Sequence, residues 1–90
     1  MKKVESYLKE RYGEGGEVKV EFEGKEITGV MYGDDECFEM NDFYQYLLTK
    51  DTLYKAFYEI PNDNDDLGSL DYENPTDLED VTEYYKEYVV

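Results

Sequence analysis

The hydrophobic positions of this chain change their spacing along its length. Val4, Leu8 and Tyr12 recur every fourth residue with Tyr7 beside them, and Lys2, Glu5, Lys9 and Glu10 fall opposite, which predicts an amphipathic helix over 2–12. Gly13 stops it, and 13–16 is a flexible connection. From residue 17 the period drops to two. Val18, Val20 and Phe22 alternate with Lys19, Glu21 and Glu23, the mark of a strand with one buried face. Gly24-Lys25, with glycine first, suits a two-residue type II′ turn into a second strand over 27–32. That turn pairs Phe22 with Ile27, Val20 with Gly29 and Val18 with Met31, all on one face. A second turn over 33–36 leads to a short third strand, 37–40, with Phe38 and Met40 facing inward.

Beyond Asn41 or Asp42, either of which suits a helix cap, the spacing lengthens again. Phe43, Tyr46, Leu47, Leu53, Tyr54, Phe57 and Tyr58 share an arc of about 140° at the helical 100° per residue. Lys50 falls inside that arc and Leu48 outside it, so 49–52 divides the segment into one interrupted helix or two, with Asp51 capping the second. Pro61 ends the region, and 60–74 has no period, only Leu67, Leu70 and Tyr72 as tethers. A last helix starts at Asn74-Pro75, or at Thr76 with Glu79 as a capping box. Its stripe is Leu78, Val81, Tyr85, Tyr88 and Val89, and its opposite face is Glu79, Asp80, Glu83 and Glu87. The expectation is one α+β domain over 1–90: a short N-terminal helix, a three-stranded antiparallel meander, one or two aromatic-rich helices, an acidic loop and a C-terminal helix.

Charge adds what periodicity leaves out. Residues 1–25 carry six bases and six acids, so the net charge of -15 belongs wholly to residues 26–90. Thirty residues separate Lys55 from Lys86; none is basic and ten are acidic. Such asymmetry marks an acidic face, where a solubility adaptation would spread acids throughout. High charge with low hydropathy is also the composition of disorder, but fifteen aromatic residues, eleven of them Tyr, stand against it. Cys37 is the lone cysteine, so no disulfide forms within the chain. Neither the apolar core of a signal peptide nor the ~20 apolar residues of a membrane span is present. A cytoplasmic protein is expected, one that an anionic membrane surface repels.

Catalytic chemistry finds little support. There is no His, and Ser6 and Ser69 have no nucleophile-elbow context. Carboxylates serve acid–base chemistry, but with 24 acids the nearness of any two carries no information. A small meander also leaves little room for a cleft of ~300–1,000 Å³. An alignment of Gly68 with the invariant glycine of a calcium loop puts Asp63, Asp65 and Asp71 at ligand positions, but Leu67 and Asn74 where oxygen ligands belong. No metal or cofactor is expected, with a weak calcium-binding module as an alternative. Direct nucleic-acid binding needs clustered Lys and Arg, and the N-terminal bases are matched one for one by acids.

What remains is a basic macromolecular partner. Carboxylates on alternate strand residues, or one helical turn apart, reach Arg and Lys sites built for phosphates. The expected binding residues are Asp34, Asp35 and Glu36 in a turn; Asp63, Asn64, Asp65, Asp66, Asp71, Tyr72 and Glu73 in the loop; and Asp77, Glu79, Asp80, Glu83, Tyr84 and Glu87 on the last helix. Asn62, Asn64, Tyr72, Asn74 and Tyr84 are placed to fill base-reading pockets, with Tyr84 beside the acidic face and away from the Leu78 stripe.

In size, charge and element order (short helix, strands at 18–23, 27–32 and 37–40, aromatic helix, acidic segment, closing helix) most of the chain resembles small acidic phage-encoded inhibitors that mimic DNA, in particular type II-A anti-CRISPR proteins. The resemblance implies a non-catalytic inhibitor, encoded by a phage or mobile element and acting in the bacterial cytoplasm. It would block the PAM-reading groove of an RNA-guided CRISPR nuclease with its guide RNA, where Arg reads G and positive channels hold the backbone. The alternative is an immunity-type or adaptor protein for another basic protein, such as a toxin nuclease, a glycosylase or a restriction enzyme.

Overall fold

The segment expected to be helical, 43–58, is a β-hairpin. In a computed structural model, which describes residues 1–40, 42–60 and 70–88, the elements run α1 (Lys2–Tyr12), β1 (Gly16–Phe22), β2 (Lys25–Tyr32), β3 (Phe38–Glu39), β4 (Asp42–Leu48), β5 (Leu53–Glu59), β6 (Asp77–Asp80) and α2 (Thr82–Tyr88). The architecture is a strand-dominated α+β domain. A six-stranded antiparallel sheet has the order β1-β2-β4-β5-β6, and β3 shares the edge of β4 that β2 occupies further along. The three-stranded meander followed by aromatic-rich helices is thereby replaced.

The reason is burial on both sides. One face of β4 and β5 (Tyr46, Leu48, Leu53) packs under Val4 and Leu8 of α1, with Val81 and Tyr85 beside them. The opposite face (Phe43, Ala56, Tyr58) is covered by Leu70, Tyr72 and Leu78. A strand covered on both faces loses its alternation, and a short run of apolar residues then fits a helix wheel as well as a strand. The residues that spoil the wheel mark the turn: Thr49 N–H donates to Thr52 O at 2.9 Å, and the Thr49 hydroxyl accepts from Thr52 N–H and donates to Thr52 O.

Three further expectations are corrected. The β1–β2 turn is Glu23-Gly24, both with positive φ (50° and 79°), as a type I′ turn requires. Pairing therefore shifts by two residues, to Phe22 with Lys25, Val20 with Ile27 and Val18 with Gly29, which keeps the same face buried. The third strand is only Phe38–Glu39; Phe38 lies opposite Phe43 on the face of the second core, its ring 5.2 Å from that of Phe43 but 43% exposed, while Met40, at φ 58°, is 95% exposed and does not face inward. The last helix starts at Thr82, not near Pro75, because Asp77–Asp80 pairs with β5 as a strand.

Helix α2 is keyed to β5 through one buried side chain. The Thr82 hydroxyl accepts from Leu53 N–H at 2.9 Å and donates to the Asp80 carboxylate at 2.6 Å, and Val81 N–H donates to Leu53 O. Thr82→Val keeps the shape but leaves the buried Leu53 N–H without an acceptor, so a loss of about 1–3 kcal/mol is expected in urea denaturation. An unchanged midpoint would show that the hydroxyl does not hold the helix. No helix among the described residues is long and apolar enough to cross a membrane.

Candidate functional site: an acidic face floored by aromatic rings

Antiparallel pairing puts directly opposed residues on the same face, so the register alone builds the site. On the side of the sheet that carries the helices, Glu39 of β3 lies opposite Asp42 of β4, and Asp42 opposite Glu59 of β5. The next row is Tyr44, Phe57 and Asp77, and the next is Tyr46, Lys55 and Glu79. Rows stand ~6.8 Å apart along the strands and neighbouring strands ~4.8 Å apart. Five carboxylates thus surround an aromatic floor that carries one cation.

That cation, Lys55, spans the floor. Its ammonium lies 4.3 Å from the Tyr44 ring centroid and 5.3 Å from that of Phe57, and it is bonded to the Glu39 carboxylate. Among the described residues the other ion pairs are Lys9–Glu5 and Lys19–Glu26, so Asp42, Glu59, Asp77 and Glu79 have none. The undescribed residues supply no Lys or Arg. Beside Lys55 the face deepens into a groove of about 750 Å³, with Glu39, Asp51, Glu79 and Glu83 on its rim and Tyr46, Tyr84 and Tyr85 among its walls.

The groove wall is made rigid by tyrosine contacts. The Tyr46 and Tyr85 hydroxyls lie 2.6 Å apart. Burial, and then that hydrogen bond, push the Tyr46 phenol far above its ordinary value. Tyr84 stacks on Tyr88 with centroids 6.1 Å apart and planes 10° apart, and both rings are exposed. Asp80 acts locally: hydrogen bonds from the Thr82 hydroxyl and then its N–H hold the carboxyl below the usual range.

The expected site residues do not form one surface. Glu79, Asp80, Glu83 and Tyr84 line the groove, with Asp77 one row away. Asp77, Glu79 and Asp80 reach it from a strand, not a helix. Glu87 is exposed on α2. Asp34, Asp35 and Glu36 form a separate loop. Asp34 Oδ1 accepts from Glu36 N–H and the Cys37 thiol, and the loop is bonded through Asp34 O to Gln45, which points to the opposite face from Tyr44 and Tyr46. Asp71 closes its own turn by accepting from Glu73 N–H and the Asn74 amide. Tyr72 packs its ring on Tyr58 and Phe43 as part of the second core. Glu73 O accepts from Glu21 N–H, tying the connection to β1. Asp63, Asn64, Asp65 and Asp66, and most of the calcium-loop alignment, lie outside the described residues; among the described ones no group of three acids, Cys or His is arranged to hold a metal.

Glu39, Asp42, Asp51, Glu59 and the Tyr44–Phe57 floor escaped the sequence reading. The signal for them was the turn at 49–52: folding 42–48 back on 53–59 about it sets Asp42 against Glu59. Like charges directly opposed on a sheet destabilise it. Asp42→Asn, between Glu39 and Glu59, is therefore expected to raise stability by about 0.2–1 kcal/mol at low salt, with the gain shrinking as salt is added. A lower melting temperature for Asp42→Asn would show that the row is not repulsive.

Comparison with protein-family models, with curated proteins and with solved structures finds no match.

Proposed function

We propose that this protein is a non-catalytic binding protein whose acidic face occupies the phosphate-binding groove of a basic nucleic-acid-binding protein and so excludes nucleic acid from it. The observation that carries this reading is the Glu39–Asp42–Glu59 row, three carboxylates in register on adjacent strands with Lys55 paired to Glu39 alone. The arrangement works against the free fold and is complementary to a dense positive surface. Asp77 and Glu79, two residues apart on β6, stand ~6.8 Å apart, close to two axial phosphate steps of ~3.4 Å.

The sharper form of the proposal takes the partner to be a CRISPR effector nuclease with its guide RNA, blocked where it reads the PAM. Small size and charge support it; the element order that shared in the resemblance is not the one observed. Mixing the protein with nuclease–guide complexes and measuring target-DNA binding tests it. Loss of DNA binding at one-to-one stoichiometry, weakening with salt, is expected. Asp42→Lys with Glu79→Lys is expected to reduce inhibition about a hundredfold or more. Unchanged DNA binding at saturating protein rejects the CRISPR form. A basic toxin or repair enzyme bound equally with and without DNA would instead support the immunity-type reading.

A further inference from the structure

Lys55 is the anomaly of the acidic face. It is the one base in its rows, its side chain is 18% exposed, and it spends its charge on Glu39 while Glu79, directly opposite it on β6, is left without an ion pair among the described residues. A surface lysine normally keeps its ammonium in water and carries high rotamer freedom. Here the ammonium lies over the Tyr44 and Phe57 rings, 4.3 and 5.3 Å from their centroids, with a carboxylate at its far side. Rings beneath and a carboxylate beside are the two parts of a cation site. The chain fills that site with its own side chain.

Resting on the binding reading above, we propose that the Tyr44–Phe57 floor is an arginine-recognition cradle and that Lys55 is its internal placeholder, displaced when an arginine side chain of the basic partner enters. A guanidinium suits the cradle better than an ammonium does. It is planar and stacks on a ring, it is more weakly hydrated, and its fork of donors engages a carboxylate with two hydrogen bonds. Glu39, released from Lys55, becomes that carboxylate. Lys55 in turn has Glu79 across the β5–β6 pair to receive it. Lys55 thus keeps an ion pair through the exchange, Glu79 gains one, and the partner supplies the cation over the rings. This makes Lys55 a specificity-determining residue: a partner that presents only lysines gains nothing by the swap.

Deca-arginine and deca-lysine peptides are suitable probes, each titrated calorimetrically into the whole chain at fixed salt. Deca-arginine is expected to bind at least ~threefold more tightly. Lys55→Met, which keeps the apolar stem, is expected to tighten deca-arginine binding at least ~fivefold more than Lys50→Met, which removes the same charge from an exposed turn. In the unaltered protein the Tyr44 and Phe57 ring resonances are expected to shift with deca-arginine and to stay in place with deca-lysine, a readout that needs no variant to fold. Equal affinity for the two peptides, equal gains from the two substitutions, or ring shifts elsewhere overturn the cradle. Those results would leave the inhibitor reading intact so long as the acidic face still displaces DNA. Failure to displace DNA with arginine preference retained would sink the inhibitor reading and keep the cradle.

Discussion

Raising the pH from about 8 to about 11 is expected to unfold this protein at temperatures where it is stable at neutrality. Burial raises the phenols of Tyr12, Tyr46 and Tyr58 most, and those of Tyr7, Tyr32, Tyr44 and Tyr72 in the same direction, from an ordinary 10.0. A raised folded value means that the folded state keeps a proton the unfolded chain would lose. The stabilisation is therefore complete below the unfolded value near 10 and is lost as pH climbs above it towards the folded value. Tyr46 and Tyr58 are 4% and 2% exposed, and each withdraws up to ~1.4 kcal/mol of stability per pH unit in that window. Every phenolate formed also adds to a chain already at -15. Thermal melts across the range, followed by circular dichroism and tyrosinate absorbance together, check this. The two signals should change in one transition. Tyrosinate absorbance growing in the still-folded protein, with an unmoved melting temperature, would contradict it.

Alanine at Leu47 and alanine at Leu48 are both expected to cost about 2–5 kcal/mol, a large share of the ~5–15 kcal/mol that holds an ordinary domain together. Leu47 is fully buried on the face with Phe43, and Leu48 is 6% exposed on the face with Tyr46. Adjacent residues on a strand point opposite ways, and both directions are covered here. On a helix Leu48 would fall outside the apolar arc, where substitution changes stability by no more than about 0.5 kcal/mol. Urea denaturation of the two variants therefore separates strand from helix. A near-neutral Leu48→Ala would restore the helical arrangement.

The parts of this fold that face water on one side are the parts whose period can be read. Helix α1 and the β1–β2 hairpin each show a clean stripe or alternation, and both stand where the spacing puts them. Even there the turn escaped, because Glu23 sits at positive φ, which few residues other than glycine adopt readily. Phe43–Tyr58 failed for the opposite reason: apolar residues on both faces erase the period that distinguishes strand from helix. Leu78 was misassigned because its neighbours Asp77, Glu79 and Asp80 read as a solvated helix face, while a four-residue edge strand gives little pattern to detect. The acids were visible as charge, but their grouping was not. Asp42 and Glu59 are seventeen positions apart in the chain and become neighbours only through the hairpin.

The sheet ends at β1 and at β6, and each end carries an obstacle to extension. At β1 the Glu21 N–H is taken by Glu73 O from the connection that crosses to it. At β6 the outer strand is four residues long and carries Asp77, Glu79 and Asp80. If two copies met along that strand, six carboxylates would be brought into one ladder with no base of the strand between them. The same charge that makes this face acidic therefore opposes edge-to-edge pairing of β6 with a second copy, at an edge otherwise suited to sheet growth.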